Sequence, residues 1–196
     1  MNTNDNHSFG EYNVSNKEPA EKNEVWEWTK VIVIAFALAY LIRTLLFAQF
    51  IVEGESMMPT LHNHDRLIVN KIIYKISQPK FGEIIVFHAT PEKDYIKRVV
   101  GLPNDVVEMK NDQLIVNGKV VQEEYLLSSL ELKHSEGLKL TEDFGPITIP
   151  EGHIFVLGDN RGNSTDSRII GPISLEKVEG RADIIIWPLS DIKFLH

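Results

Sequence analysis

The chain has 196 residues, 43% of them hydrophobic, a formal net charge of −8 and no cysteine. That length allows one globular domain with an appendage and a substantial core, while the acidic balance speaks against nucleic acid as the main partner, which needs a basic face. The lack of cysteine excludes disulfides, thiolate metal sites and cysteine nucleophiles, and fits an exported domain that needs no redox control.

Residues 1–24 are polar, rich in Asn, Ser, Glu and Lys. Such a segment cannot bury enough surface to offset its ordering entropy, and a disordered cytoplasmic tail is expected there. Residues 25–50 read as a transmembrane anchor. Val31 to Ile42 is apolar without a break, Arg43 and Thr44 interrupt it, and Leu45 to Ala48 resume it. A helix over this region is just long enough for a bilayer, which takes roughly 17–25 residues. Trp26 and Trp28 stand where an interfacial aromatic belt would. A buried helix of a soluble domain is the competing reading, disfavoured because no polar stripe breaks the run. A cleaved leader is disfavoured by the long acidic tail ahead of it. Lys17, Lys22 and Lys30 precede the span and only Arg66 follows closely, so the amino terminus is expected in the cytoplasm.

Residues 51–196 read as one mainly β domain. Strands are expected at 66–70, 82–87, 95–100, 147–150, 153–157 and 178–188, where short apolar or alternating runs lie between Gly and Pro. Residues 106–109 and 113–116 flank Lys110-Asn111-Asp112 as a hairpin, and Asn117-Gly118 turns the chain into 119–121. Residues 122–143 are charged and weakly patterned, an excursion or long loop. The whole predicts coiled antiparallel sheets in a barrel-like domain.

Three stretches carry chemistry. Gly54-Glu55-Ser56-Met57-Met58-Pro59 is suited to an exposed loop, either a plain turn after the anchor or one that presents a nucleophilic Ser56. His62, His64, His88 and His153 occupy turns and strand ends, as surface residues do. A lysine amine is the other known activator of serine, provided that burial holds it neutral. Lys97, in the strand Tyr95 to Val100, meets that demand if it points inward; on a solvated face it does not. The third stretch, Gly158 to Arg168, is a dense polar loop: a surface loop tied by Asp166 to Arg168, or a rigid platform beside the site. The seven histidines show no His-x-x-x-His spacing, and no Gly-x-Gly-x-x-Gly or P-loop pattern occurs, so neither a metal nor a nucleotide cofactor is expected.

Ser-Met-Met-Pro-Thr-Leu at 56–61, Gly-Glu-Ile-Ile-Val-Phe at 82–87, Lys-Arg-Val-Val-Gly at 97–101 and Gly-Asp-Asn-Arg-Gly-Asn-Ser-Thr-Asp-Ser-Arg at 158–168 together resemble the bacterial type I signal peptidases, in their single-anchor Gram-positive form. The resemblance implies a membrane-bound serine endopeptidase that removes signal peptides from exported preproteins, with lipid bilayer as its other partner. It implies Ser56 as nucleophile, Lys97 as general base, Ser164 as a hydroxyl that bonds and orients the lysine amine, Asp166 and Arg168 as a structural ion pair, and Arg98 in a supporting role. Met57, Ile84 and Val86 are candidate walls of shallow substrate pockets. Two departures stand out. Gly54 occupies a position where some members carry an oxyanion-hole serine, leaving the Ser56 backbone N–H to act with another donor or with water. Glu83 replaces a common aspartate, a change expected to matter little. A repressor-type Ser-Lys autoprotease and an inactive membrane-anchored binding module are the competing readings.

Overall fold

The structure, a computed structural model, describes residues 24–195. The tail expected at 1–24 lies outside the described residues except for Glu24. The chain divides after Tyr40 into two compact units. Helix α1 spans Glu24–Leu46. Its first turns carry Glu24, Glu27 and Lys30, with Lys30 Nζ donating to Glu27 at 2.9 Å. The large apolar side chains from Val25 to Leu41 are exposed. Among the described residues no helix is long and apolar enough to cross a membrane. Against the segment expected at 25–50, the helix begins at Glu24 and ends at Leu46. Phe47–Ile51 is strand β1, paired along β2, Arg66–Asn70, from Phe47 opposite Asn70 to Ile51 opposite Arg66.

The β region holds two antiparallel sheets. After β2 come a short helix α2 (Ile73–Ile76), β3 (Ile84–Thr90) and β4 (Lys93–Gly101). Strands β5 (Val106–Lys110), β6 (Gln113–Val116) and β7 (Lys119–Val121) form the expected meander. The excursion is not a loop. It folds as a 3-10 turn (Glu124–Leu126) and helix α3 (Leu127–Ser135) before β8 (Phe144–Thr148). Then follow β9 (His153–Leu157), α4 (Ser167–Ile170), β10 (Ile173–Ser174), β11 (Val178–Trp187) and β12 (Lys193–Phe194). The larger sheet runs β1-β2-β11-β3-β4-β9-β10, with β12 also on β11; the smaller runs β7-β6-β5-β8. Neither order closes on itself, so the barrel-like expectation gives way to two open sheets. Register shifts along β11, at Val178/Gly180, Ala182/Ile184 and Ile185/Trp187, mark bulges that bend and coil the larger one.

The core explains why the central strands are continuously apolar. On β3, Ile84 and Val86 join one buried cluster with Met57, Leu61, Leu67 and Val69, while Ile85 and Phe87 join another with Val99, Ile154 and Val156. On β9, Phe155 and Leu157 pack in a third cluster with Val100, Val107 and Leu114. Both faces of these strands are covered, and β4 is held rigidly between β3 and β9.

Candidate active site

Ser56 lies in the loop between β1 and β2. Val52 and Asp65 close its base, with Val52 N–H donating to Asp65 O and His64 N–H to Val52 O, both at 2.8 Å. Met57 and Leu61, 1% and 0% exposed, pin the loop from inside. The Ser56 carbonyl accepts from the Asn160 backbone N–H at 3.0 Å, so the nucleophile loop is tied to the loop at 158–168. Ser56 itself is half-buried.

Lys97 comes from the middle of β4 and is buried. Its Nζ donates to Ser56 Oγ at 2.8 Å and to the Ile96 carbonyl at 2.8 Å. It also lies 5.1 Å from the centre of the Tyr95 ring. Burial strips water from the ammonium and lowers its pKa to about 8, against the opposing pull of Asp166 and Asp159. A large fraction of such an amine is neutral in mildly alkaline water, and the neutral form has a lone pair to take a hydroxyl proton.

The polar loop fixes this pair from behind. Arg98 is buried; its Nε and Nη2 fork onto Asp159 at 2.9 and 2.6 Å, and its Nη1 donates to the Gly82 carbonyl. Thr60 Oγ1 donates to the same Asp159 carboxylate, joining the nucleophile loop to the network. Asp166 caps α4 by accepting from Arg168 N–H, and it pairs with the Arg168 guanidinium at 2.8 Å through both oxygens. It also accepts from Gly158 N–H at 3.0 Å. Burial pushes the Asp166 pKa up, but Arg168 and the Gly158 N–H outweigh it and hold the carboxyl below its ordinary range. Gly158 is required by space: a Cβ there would lie 2.2 Å from Ser164 Oγ and 2.5 Å from the Ser56 carbonyl.

Ser56 and Lys97 open onto a cleft of about 1020 Å³, walled by Phe50, Ile51, Met57, Tyr95, Ile96 and Ser164 among others. Residues 25–187 match the family described as signal peptidase, peptidase S26. The chain belongs to that family. By this membership it is a serine peptidase. It is 45% identical over 178 residues to a signal peptidase I of Bacillus amyloliquefaciens, covering 90% of this chain and 96% of that one. It is 43% identical over 176 residues to signal peptidase I S of Bacillus subtilis, covering 89% and 95%. A solved signal peptidase I of Enterococcus faecalis is 38% identical, with a TM-score of 0.49 over 54% of this chain and 97% of that one. Family membership removes the repressor-type autoprotease as a competing reading.

Against what the signal peptidase resemblance implies, Ser164 differs. Lys97 Nζ donates to Ser56 Oγ and the Ile96 carbonyl and makes no hydrogen bond to Ser164, whose buried hydroxyl faces Asp166 and helps to hold that carboxyl low. Ile84 and Val86 do not line the cleft. They are 1% and 0% exposed in the core under β3, because both faces of that strand are covered; Met57 does line it. Gly54 lines the cleft at φ +94°, and a Cβ there would meet open space. The buried Glu83 carboxylate accepts from Tyr74 Oη, Lys80 N–H and Arg181 Nη1, all within 2.9 Å. Asp159, Thr60, Glu123 and Tyr125 were not singled out from sequence. Asp159 had a signal in its place beside Gly158; the others are brought in only by tertiary contact. Among the described residues His62, Asp65 and Asp191 bring ligand-type atoms within 4.8 Å of one another. None of them lines the cleft that holds Ser56.

Proposed function

We propose that this chain is a signal peptidase that removes amino-terminal signal peptides from exported preproteins, with Ser56 as nucleophile and Lys97 as general base. The single observation that carries this reading is the 2.8 Å contact of a buried lysine, its pKa lowered to about 8, with a serine hydroxyl that lines a cleft. Neutral Lys97 takes the Ser56 proton as the oxygen attacks the scissile carbonyl. The oxyanion is met by the Ser56 backbone N–H. The protonated amine gives its proton to the leaving amine of the mature protein, and the signal peptide remains as an ester on Ser56. Lys97, neutral again, activates water to release it. Ser164, Asp166, Arg168 and Arg98 keep the pair in register. β1 is an outer strand of its sheet and its Phe50 and Ile51 line the cleft, which suits a substrate lying as an extended strand.

The amino-terminal segment anchors the enzyme to the bilayer, with the tail cytoplasmic and the β region outside. The exposed apolar side chains of α1 have lipid as their natural cover. Protease added to intact protoplasts should remove the β region; digestion of the tail alone reverses the orientation. The activity itself is tested by incubating the detergent-solubilised chain with a preprotein and sequencing the amino terminus of the product. Wild type should release the mature protein and Ser56→Ala should not. Equal processing by Ser56→Ala overturns the reading.

A further inference from the structure

The excursion at 122–143 lies outside all four motifs of the resemblance, yet its first residues reach the catalytic loop. Glu123 and Arg161 are 8% and 2% exposed. Arg161 Nη1 donates to Glu123 Oε2 at 3.1 Å, and Nη2 donates to Oε1. The Tyr125 hydroxyl donates to Glu123 Oε1 at 2.5 Å and accepts from Arg161 Nη2 at 3.3 Å. The remaining Arg161 nitrogen, Nε, donates to the Gly158 carbonyl at 3.0 Å. The Tyr125 ring lies against the Arg98 guanidinium, 3.8 Å from ring centre to carbon.

These contacts lead to the reacting pair by two routes. Through Arg161 they reach Gly158, whose backbone packs on the Ser56 carbonyl and the Ser164 hydroxyl too closely for any side chain. Through Tyr125 they reach Arg98, the neighbour of Lys97, which is forked onto Asp159. The geometry points to Glu123 and Tyr125 as positioning residues for the peptidase reaction: with Arg161 and Arg98 they press the loop at 158–168 onto Ser56 and keep Lys97 covered. This rests on the Ser56–Lys97 reading above.

A buried ion pair is weak evidence for stability. What an arginine fork supplies is direction, because its planar donors fix both partners at once. Here one guanidinium joins a carboxylate on one segment to a carbonyl on the next, and a ring on the first segment covers a second guanidinium. Loosening this latch admits water to Lys97. Asp159 and Asp166 face the amine from the loop, Tyr95 from its own strand, and Glu53, Glu55, Glu92, Asp94 and Lys93 line the cleft onto which it opens. Retreat of the loop carboxylates favours the neutral amine, whereas hydration favours the charged one. Burial is the largest influence on this amine, so hydration decides the sign and the amine becomes harder to deprotonate.

The test uses the full chain in mild detergent with a preprotein substrate. Rates are measured from pH 6 to pH 10, and thermal melts are recorded for wild type, Glu123→Gln, Tyr125→Phe and Ser56→Ala. Glu123→Gln should lower kcat/KM at pH 8 on the order of tenfold to a hundredfold, carried by kcat rather than KM. It should also move the midpoint of the pH–rate curve upward by about half a unit or more. Tyr125→Phe keeps the ring on Arg98 and should show the same changes in smaller measure. Variants that melt lower yet keep the wild-type kcat and pH midpoint would reduce Glu123 and Tyr125 to structural residues and overturn the inference. Ser56→Ala separates the two levels: if it is inactive while Glu123→Gln behaves as wild type, only the positioning role falls. If Ser56→Ala still cleaves, the dyad reading falls and the inference with it.

Discussion

A buried lysine kept for chemistry is a cost to the fold, and Lys97→Met exposes that cost. The Lys97 pKa lies at about 8 in the native protein against an ordinary 10.5. That difference corresponds to about 3 kcal/mol. Below pH 8 the native and unfolded chains both hold the proton, and the penalty is constant. Above pH 8 the native chain has released it while the unfolded chain still binds it, so wild-type stability rises with pH until about 10.5. Methionine has similar length and no charge, so the variant lacks this rise. It also leaves the Ser56 hydroxyl and the Ile96 carbonyl without their Nζ donor, at about 1 kcal/mol each. At pH 7 the variant should therefore be inactive and more stable than wild type by about 1 kcal/mol. By pH 10 the difference should have moved by about 2–3 kcal/mol in favour of wild type. Urea unfolding of both proteins at a series of pH values measures it, and taking the difference cancels the other titrating groups. A difference independent of pH would mean that Lys97 stays charged in the native state throughout, and it would then have no lone pair for Ser56.

The same pKa sets the rate profile: kcat/KM should climb through about pH 8, and Lys97→Arg should be inactive at every pH because a guanidinium keeps its proton. Gly158→Ala should fold but lose most of its cleavage rate in the preprotein assay, since the new Cβ displaces either Ser164 or the Ser56 carbonyl. Asp166→Ala should cost about 3 kcal/mol near neutral pH by leaving Arg168 and Gly158 N–H without their acceptor. The Asp166 pKa is lowered in the native protein, so its contribution is present above the ordinary carboxylate range and is lost as pH falls through the native value. Melts of wild type and Asp166→Ala should therefore converge in acid.

Much of this architecture was legible residue by residue. Strands 66–70 and 153–157 were bounded correctly, because polar and turn-forming residues stop the apolar run at each end. β1 was missed because Phe47 and Ala48 continue the apolar character of α1, and composition alone does not separate the end of a membrane-type run from a half-exposed outer strand. The burial of Ile84 and Val86 away from the cleft was not legible for a related reason. Four consecutive apolar residues on β3 carry no alternation, so nothing in the pattern says which face meets the cleft. Helix α3 was hidden by a segment that buries none of its residues and so shows no apolar stripe. At the site, Ser56 and Lys97 could be named as candidates because both sit in dense motifs, and the fold brings their side chains to 2.8 Å. The fork of Arg98 onto Asp159 and that of Arg161 onto Glu123 join residues 61 and 38 positions apart, and only the folded sheets bring them together.

The central claim is that Ser56 and Lys97 act as one catalytic unit. Its most direct measurement is the rate of preprotein cleavage by wild type, Ser56→Ala, Lys97→Ala and the double variant, at one pH above the Lys97 pKa. Each single change should remove essentially all activity, and the double change should be no slower than either alone. A Lys97→Ala enzyme that keeps wild-type cleavage, or a double variant slower than both singles by the product of their losses, would contradict a shared proton between the two residues.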